Sequence, residues 1–322
     1  MDSSNEGNLN FYDLHPKPAD FFAEVIDGLN KTQKSIPPKF FYDKAGSRLF
    51  DAICDLPEYY PTRTEINILK QNSDEIADHV GAGCLLVEPG SGSSHKVRLL
   101  LDGLRPHAYI PMEISREHLR QSAEDLGGDY PWLDVHATCA DFTSTIRLPY
   151  SPEGIRKVVF FPGSTIGNFE PEEATRFLQE LAGLVGPNGG LLIGVDLKKS
   201  KDMLHAAYDD EQGVTAAFNV NLLKRINREL GADFKTENFC HQSFYNELLG
   251  RVELHLVSQC DHTVSISGEC FSFTAGESIH TENSYKYTIE EFQDLANKAG
   301  FRPQAVWMDD DSLFSVHYFI PP

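Results

Sequence analysis

Short apolar runs alternate with helical stretches over residues 61–196, and this alternation predicts the fold of the central part of the chain. Five of these runs have the length of buried strands, at 84–88, 108–113, 133–137, 157–161 and 191–196. The stretches between them have apolar residues at helical spacing, as in 97–104 and 171–185. Apolar strands separated by helices predict a parallel sheet that is covered on both faces.

The pattern changes after this region and then returns. Over residues 197–285, helical segments at about 202–209 and 214–230 give way to alternating strands. At Thr288 an α/β pattern resumes, because Thr288 and Glu291 have the spacing of a capping box. The helix that they begin is expected to end at Gly300, and two strands, at about 303–308 and 313–319, finish the chain.

These changes of pattern predict two domains. Residues 61–196 and 286–322 are expected to form a Rossmann-like parallel sheet with a terminal antiparallel hairpin. Residues 1–60 and 197–285 form a second, α+β domain that binds the substrate. The N-terminal part of this second domain is expected to combine a helix with irregular, proline-containing segments.

Composition and charge narrow the classes of function. Of the 322 residues, 41% are hydrophobic and 24% charged, which predicts a globular protein. A net charge of −20 repels phosphate backbones, so a nucleic-acid partner is not expected. No apolar run has the roughly 18 residues needed to span a bilayer, and residues 1–6 do not begin a secretory signal. The six cysteines form no CxxC pair, so we expect a cytoplasmic monomer without a metal site.

A glycine loop follows the first apolar run and predicts a nucleotide-type cofactor. The loop, at residues 88–92, lies between a strand and a helix, where glycine lets the backbone approach a ligand closely. Glu113 ends the next strand 23 residues after Gly90, near the spacing expected of a carboxylate that binds ribose hydroxyls. A dinucleotide fingerprint needs a third glycine where this chain has His95, which disfavours NAD.

S-adenosylmethionine (SAM) fits this loop because it has a ribose and no pyrophosphate. Asp141 and Phe142 follow a further strand end and suit its adenine, since the carboxylate accepts from the exocyclic amine and the ring packs on the base. The residues therefore predict SAM as the methyl donor, and together with the parallel sheet they predict the fold of a class I SAM-dependent methyltransferase.

Several sequence blocks resemble the histidine Nα-methyltransferases of ergothioneine biosynthesis. The most specific are LPEYYPTRTE at 56–65 and GSTIGN at 163–168. The similarity runs from about residue 30 to the C-terminus and includes further blocks at 39–43, 208–210, 213–219 and 282–284. Such an enzyme uses three SAM molecules to convert L-histidine to its Nα-trimethyl betaine, hercynine.

The resemblance implies two sets of site residues. The SAM contacts are Tyr59, Gly90, Lys96, Glu113, Asp141 and Phe142. The contacts of histidine are Tyr42, Phe50, Gly163, Asn168, Tyr208, Thr215, Leu254, Glu282 and Ser284, among which Tyr42, Gly163 and Asn168 lie nearest the chemistry. This chain departs from some relatives at Glu113, where they have Asp and where the carboxylate chemistry is kept. It also departs at Leu254, where they have Met, and this change affects the shape of the pocket wall.

The residue types suit these roles. Asn168 and Tyr208 can hydrogen-bond the carboxylate or amine of the substrate, while Glu282 and Ser284 alternate on one strand and can both reach an imidazole. Tyr42 and Phe50 offer aromatic faces to an amine that becomes a quaternary cation. Water or Tyr42 is expected to take the proton of the amine, and the small Gly163 leaves room for the added methyl groups.

Three other functions fit parts of the sequence. The first is a methyltransferase of the same fold that acts on another amino acid, such as a tryptophan derivative. Glu282 distinguishes the two, because an indole has a single N–H and gains less than an imidazole from Glu282 and Ser284. An NAD-dependent oxidoreductase is disfavoured by His95. A protein that only binds SAM or a partner would methylate no amino acid.

Overall fold

The computed structural model describes residues 3–14 and 18–322, and the chain divides into two compact units. Unit 1 contains residues 3–14, 61–198 and 285–322. Unit 2 contains residues 18–60 and 199–284. Within the described residues, no helix combines the length and the apolar composition that crossing a bilayer requires.

Both units combine strands and helices. The strands are β1 (Ser3–Glu6), β2 (Leu9–Asp13), β3 (Lys34–Ser35), β4 (Leu85–Pro89), β5 (Ala108–Glu113), β6 (Val135–Cys139), β7 (Lys157–Phe161), β8 (Gly190–Asp196), β9 (Phe239–Asn246), β10 (Arg251–Ser258), β11 (His262–Ile266), β12 (Glu269–Phe273), β13 (Ser278–Tyr285), β14 (Arg302–Met308) and β15 (Phe314–Ile320). The α-helices are α1 (Pro18–Leu29), α2 (Lys44–Cys54), α3 (Tyr60–Gln71), α4 (Ser73–Val80), α5 (Arg98–Leu104), α6 (Arg116–Asp129), α7 (Pro171–Val185), α8 (Lys201–Tyr208), α9 (Val214–Leu230) and α10 (Ile289–Lys298). Short 3₁₀ helices lie at Pro38–Phe41, Thr165–Asn168 and Thr236–Asn238.

A nine-stranded sheet forms the core of unit 1, in the order β1-β2-β6-β5-β4-β7-β8-β15-β14. In this order, the six neighbouring strands β2, β6, β5, β4, β7 and β8 pair in parallel, and β15 pairs antiparallel with both β8 and β14. Every residue of β4, β5 and β6 is buried, as expected for strands covered on both faces. The predicted Rossmann-like sheet with a terminal antiparallel hairpin is confirmed.

The N-terminal hairpin of β1 and β2 lies in unit 1, whereas residues 1–60 are predicted to belong to the substrate-binding domain. Its second strand, β2, pairs in parallel with β6, and its apolar residues Leu9 and Phe11 are buried in the core of the sheet. Asn8 fixes the turn before β2 by donating to three backbone carbonyls, those of Gly127, Tyr130 and Leu133. The edge of a sheet accepts such a strand because its backbone groups need partners.

Unit 2 is α+β, with a four-stranded sheet of order β3-β13-β10-β9 and a separate hairpin of β11 and β12. Asp43 is the N-cap of α2, where its carboxylate accepts from the amide of Gly46 at 2.7 Å. The same carboxylate accepts from Asn221 of α9 at 2.9 Å and pairs with Arg228 of that helix. One acidic side chain therefore begins α2 and fastens it to α9.

Helix boundaries follow local chemistry. The capping box at Thr288 and Glu291 is present, and α7 spans the predicted residues 171–185. Helix α3 begins within the proline-rich block, because Pro61 lies in its first turn, where the missing amide hydrogen needs no partner.

Candidate active site

The glycine loop lies at the carboxyl end of β4, where a parallel sheet binds its ligands. Gly90 has a φ of +69°, a conformation that favours glycine, and a Cβ added there would lie 3.2 Å from the ring of Phe142. The amides of Gly90 and Ser91 both donate to the carbonyl of Met112, at the end of β5. The loop is therefore shaped so that its backbone and Phe142 come close together.

Glu113 joins the glycine loop to the end of β5. Its side chain is buried, and its carboxylate accepts from the amides of Gly92 at 3.3 Å, Ile114 at 2.8 Å and Ser115 at 3.2 Å. Burial raises the pKa of Glu113, and these hydrogen bonds oppose that rise. The result is a buried carboxylate held in a fixed orientation at the carboxyl end of the sheet.

Asp141 and Phe142 follow the end of β6, the strand beside β5. Asp141 is buried, and its Oδ1 accepts from the amide and the hydroxyl of Thr143 at 2.9 and 2.5 Å. The ring of Phe142 lies 5.9 Å from that of Phe161. Gly90, Glu113, Asp141 and Phe142 therefore lie at neighbouring strand ends of unit 1.

Lys96 forms an ion pair with Glu65, a residue for which the sequence predicts no role. The ammonium lies 2.6 Å from Oε2 of Glu65, whose side chain is fully buried. The amide of Gly163 donates to both oxygens of the same carboxylate, at 2.9 and 3.1 Å. This contact brings together two predicted site residues, one from the SAM set and one from the histidine set.

Gly163 begins a strained turn after β7. Its φ is +80°, and that of the next residue, Ser164, is +58°. The hydroxyl of Ser164 accepts from the amide of Asp196 at 2.9 Å, which fastens the turn to the end of β8. Asn168, at the end of the 3₁₀ helix that follows, is half-buried.

Five predicted site residues of unit 2 form a connected series of contacts. The ring of Phe50 lies 5.7 Å from that of Tyr42 and 6.5 Å from that of Tyr59. The ring of Tyr59 lies 6.1 Å from that of Tyr208, and the Tyr208 hydroxyl lies 2.7 Å from Oγ of Ser284. We call these five residues the aromatic series.

The electrostatics of the aromatic series keep Tyr59 protonated. Burial raises the pKa of Tyr59 well above its ordinary value, and the nearby Tyr208, Cys54, Glu282 and Tyr42 raise it further. The phenol of Tyr59 is therefore a hydrogen-bond donor at neutral pH. Glu282, half-buried on β13, lies close enough to contribute to this shift.

Thr215 and Leu254 lie on two further elements of unit 2. Thr215 is in the first turn of α9, and its amide donates to Asp210 at 2.8 Å. Leu254 is buried on β10, and its carbonyl accepts from the hydroxyl of Thr281 at 3.0 Å. Since Thr281 precedes Glu282 on β13, Leu254 is tied to the strand that carries Glu282 and Ser284.

The predicted residues divide between the two units. Unit 1 contains Gly90, Lys96, Glu113, Asp141, Phe142, Gly163 and Asn168. Unit 2 contains Tyr42, Phe50, Tyr59, Tyr208, Thr215, Leu254, Glu282 and Ser284. Tyr59, predicted to contact SAM, thus belongs to the unit of most of the predicted histidine contacts, and Gly163 and Asn168 belong to the unit of the glycine loop.

Glu88 is a second buried carboxyl group without a predicted role of its own. It ends the apolar run of β4 and accepts from the hydroxyl of Tyr109 at 2.6 Å. Burial raises its pKa to about 8, although the hydrogen bond from Tyr109 acts in the opposite direction. In the sequence, such a group is indicated by an acidic residue at the end of an apolar strand.

One group among the described residues offers donors of the kind that a metal ion prefers. Glu253, His255 and His280 each present a ligand atom, and these atoms lie within 4.8 Å of one another. Oε1 of Glu253 accepts from Nε of Arg251 at 2.9 Å, so a cation of the chain already balances this carboxylate. None of the predicted site residues belongs to the group.

The chain is similar to known methyltransferases. The family described as "Histidine-specific methyltransferase, SAM-dependent" matches residues 21–321. The histidine N-alpha-methyltransferase of Mycolicibacterium smegmatis is 42% identical over 91% of this chain and 92% of its own length, and that of Mycobacterium tuberculosis is 40% identical over the same shares. The 4-dimethylallyltryptophan N-methyltransferase of Claviceps purpurea is 26% identical over 91% of this chain and 93% of its own length.

Proposed function

The chain belongs to the family of SAM-dependent, histidine-specific methyltransferases, and on that premise we propose that it converts L-histidine to hercynine. In this reaction three methyl groups pass in turn to the α-amino nitrogen, and the product is a precursor of ergothioneine. The observation that carries the proposal is the aromatic series of unit 2, in which rings and hydroxyls suited to an amino acid with a cationic nitrogen are in mutual contact.

We assign the binding of SAM to unit 1. When bound, SAM supplies an electrophilic methyl group to the amine. Gly90 fits such a ligand, because a side chain there would fill the space beside Phe142. Glu113 would accept from the ribose hydroxyls, and Phe142 would cover the adenine beside Asp141. Lys96 would meet the carboxylate of the methionine part, since an ammonium attracts a carboxylate.

We assign the recognition of the imidazole to unit 2. Glu282 would accept from a ring N–H, and Ser284 would serve the second ring nitrogen. The Tyr208 hydroxyl holds Ser284 at 2.7 Å and so orients it. Buried Leu254 and Thr215 would form the wall of this pocket. Asn168, which belongs to unit 1, is assigned to the carboxylate or the amine of the substrate.

The nucleophile is the neutral amine, so the chain must bind it without keeping it protonated. Tyr59, for which a SAM contact is predicted, retains its own proton because burial raises its pKa. It would therefore donate a hydrogen bond and not accept the proton of the amine. Water or Tyr42 would take the proton that the amine loses. The faces of Tyr42 and Phe50 would stabilise the quaternary product by roughly 0.5–2 kcal/mol, and Gly163 would leave space for each added methyl group.

Mass spectrometry of the enzyme with SAM and a mixture of the twenty amino acids tests the proposal. We expect products of histidine alone, with the mass increments of one, two and three methyl groups, and fragmentation that places all of them on the α-nitrogen. Methylation of an imidazole nitrogen would overturn the assignment of the pocket.

A tryptophan derivative remains the second candidate substrate, because the chain also has 26% identity with a methyltransferase named for such a substrate. Adding tryptophan and a prenylated tryptophan to the same mixture distinguishes the two. Methylation of either in preference to histidine would favour this candidate.

A further inference from the structure

Glu65 contacts three segments of unit 1 that lie far apart in sequence. Lys96 precedes α5, Gly163 follows β7, and both hydrogen-bond the carboxylate, the ammonium at 2.6 Å and the amide at 2.9 and 3.1 Å. Gly194, in the middle of β8, lies against the same group, because a Cβ added there would be 2.0 Å from Oε1. The packing of β8 therefore leaves space for this carboxylate.

Stability alone does not account for this ion pair. The side chain of Glu65 is fully buried and that of Lys96 is 18% exposed, so forming the pair removes most of the hydration of both charges. The cost of this desolvation can exceed the attraction, and apolar side chains of similar volume are often at least as stabilising. Helix α3 continues with buried Ile68 and Leu69, so an apolar residue would suit this face. The pair is better explained by what it positions.

The pair fixes the position of a cation. One proton of the Lys96 ammonium is directed to Glu65, and the ammonium lies 3.3 Å from the place that a Cβ of Gly163 would occupy. The same carboxylate holds the amide of Gly163, whose φ of +80° begins the strained turn. One carboxylate thus sets both the ammonium and the backbone beside it.

We propose that Glu65 is a positioning residue that holds the Lys96 ammonium where it meets the carboxylate of the methionine part of SAM. This inference rests on the proposed function, because it takes SAM as the ligand of unit 1. Glu65 acts through Lys96 and contacts neither the ribose nor the adenine. Its effect is therefore specific to ligands that carry the amino-acid part.

Two ligands separate positioning from a general loosening of the fold. S-adenosylhomocysteine has the amino-acid part, and 5′-methylthioadenosine lacks it. Calorimetry without histidine should show that Glu65→Gln weakens the binding of S-adenosylhomocysteine by about tenfold or more, the usual effect of losing a charged hydrogen bond. The affinity for 5′-methylthioadenosine should stay unchanged.

Lys96→Met should reproduce this pattern, and Glu65→Gln combined with Lys96→Met should bind no worse than Lys96→Met alone, because the two residues act as one unit. The double variant also leaves no unpaired buried charge, so it keeps the test valid if Glu65→Gln folds poorly. Asp129→Asn is the matched control, since Asp129 pairs with Arg98 at the same distance of 2.6 Å but lies at the surface. It should bind both ligands as the parent does.

Unchanged affinity of Glu65→Gln for S-adenosylhomocysteine would overturn the inference. Equal losses for both ligands would also overturn it, since they would indicate a purely structural role. The proposed function is judged separately, because these measurements need no methyl acceptor. If the ligand pattern holds and no hercynine forms, the inference stands and the assignment of histidine fails.

Discussion

Glu282 is the single residue on which substrate choice depends most strongly in the proposed reaction. A half-buried carboxylate that accepts an N–H penalises any ligand that leaves it unpaired, by up to about 10⁴-fold where a site requires that bond. We predict that Glu282→Ala loses most activity on histidine and gains measurable methylation of tryptophan or phenylalanine. The affinity for SAM should not change, because the residues assigned to its ribose, adenine and carboxylate belong to unit 1. Paired kinetics of parent and variant on the three amino acids provide the measurement.

Glu277 offers a control for this substitution. It immediately precedes β13, pairs with Lys34 and is not part of the proposed site. Glu277→Ala should keep the parent's preference for histidine. If Glu282→Ala also keeps that preference, Glu282 does not bind the imidazole and the proposed recognition is wrong.

At the scale of elements, the hairpin of β1 and β2 lies in unit 1 and not in the predicted substrate-binding domain, and its packing can be tested. Phe11 is 2% exposed, and the guanidinium of Arg120 lies 4.3 Å from the centre of its ring. Phe11→Ala should lower the free energy of unfolding of unit 1 by about 3–5 kcal/mol, because it leaves a cavity in the core of the sheet. Urea unfolding measures the change. Trp132→Ala, at an aromatic ring of unit 1 that is 40% exposed, should cost much less; equal costs would show that Phe11 does not anchor the hairpin.

Local signals predict the elements that carry them. Helix α7 has a proline in its first turn and α10 has a capping box, so their boundaries follow from the sequence. Strand β2 has only five residues of weak alternation, and its partner β6 lies more than a hundred residues away, so its place in the sheet depends on tertiary contacts. The domain boundaries near residues 61, 198 and 285 coincide with changes of pattern that the sequence does show.

In the candidate site as well, the sequence predicts the residues that carry a local signal and not those that depend on tertiary contacts. Its glycine loop and Glu113 have a recognisable spacing, and the aromatic series lies in blocks that resemble a known family. The sequence signal for Glu65 is weaker. It is a charged residue at an apolar position, on the face of α3 that also carries the buried Pro61 and Leu69. Its partners Lys96 and Gly163 are distant in sequence, so no local pattern predicts the ion pair.

At the scale of the whole molecule, buried titratable groups give the stability of unit 1 a dependence on pH. His317 on β15 is buried, which lowers its pKa to about 4. Because the unfolded chain binds this proton near pH 6.5, His317 reduces stability as the pH falls from 6.5 to 4. Glu88 acts in the opposite direction, since its pKa is raised to about 8 and unfolding releases its proton above pH 4.5.

The contribution of Glu88 gives the last prediction. Between pH 4.5 and 8 the folded chain keeps a proton that the unfolded chain loses, so this group lowers stability by up to about 1.4 kcal/mol for each pH unit of increase. Glu88→Gln keeps an acceptor for the Tyr109 hydroxyl and cannot ionise, so its stability relative to the parent should rise steadily from pH 5 to pH 8. Urea unfolding at several pH values measures this difference. Glu291→Gln is the control: the pKa of Glu291 is lowered despite burial, by hydrogen bonds from Lys198 and Thr288, so it is ionised in both states and its difference should stay constant across this window. A constant difference for Glu88→Gln as well would mean that Glu88 is already ionised in the folded protein, with its charge balanced by Lys96.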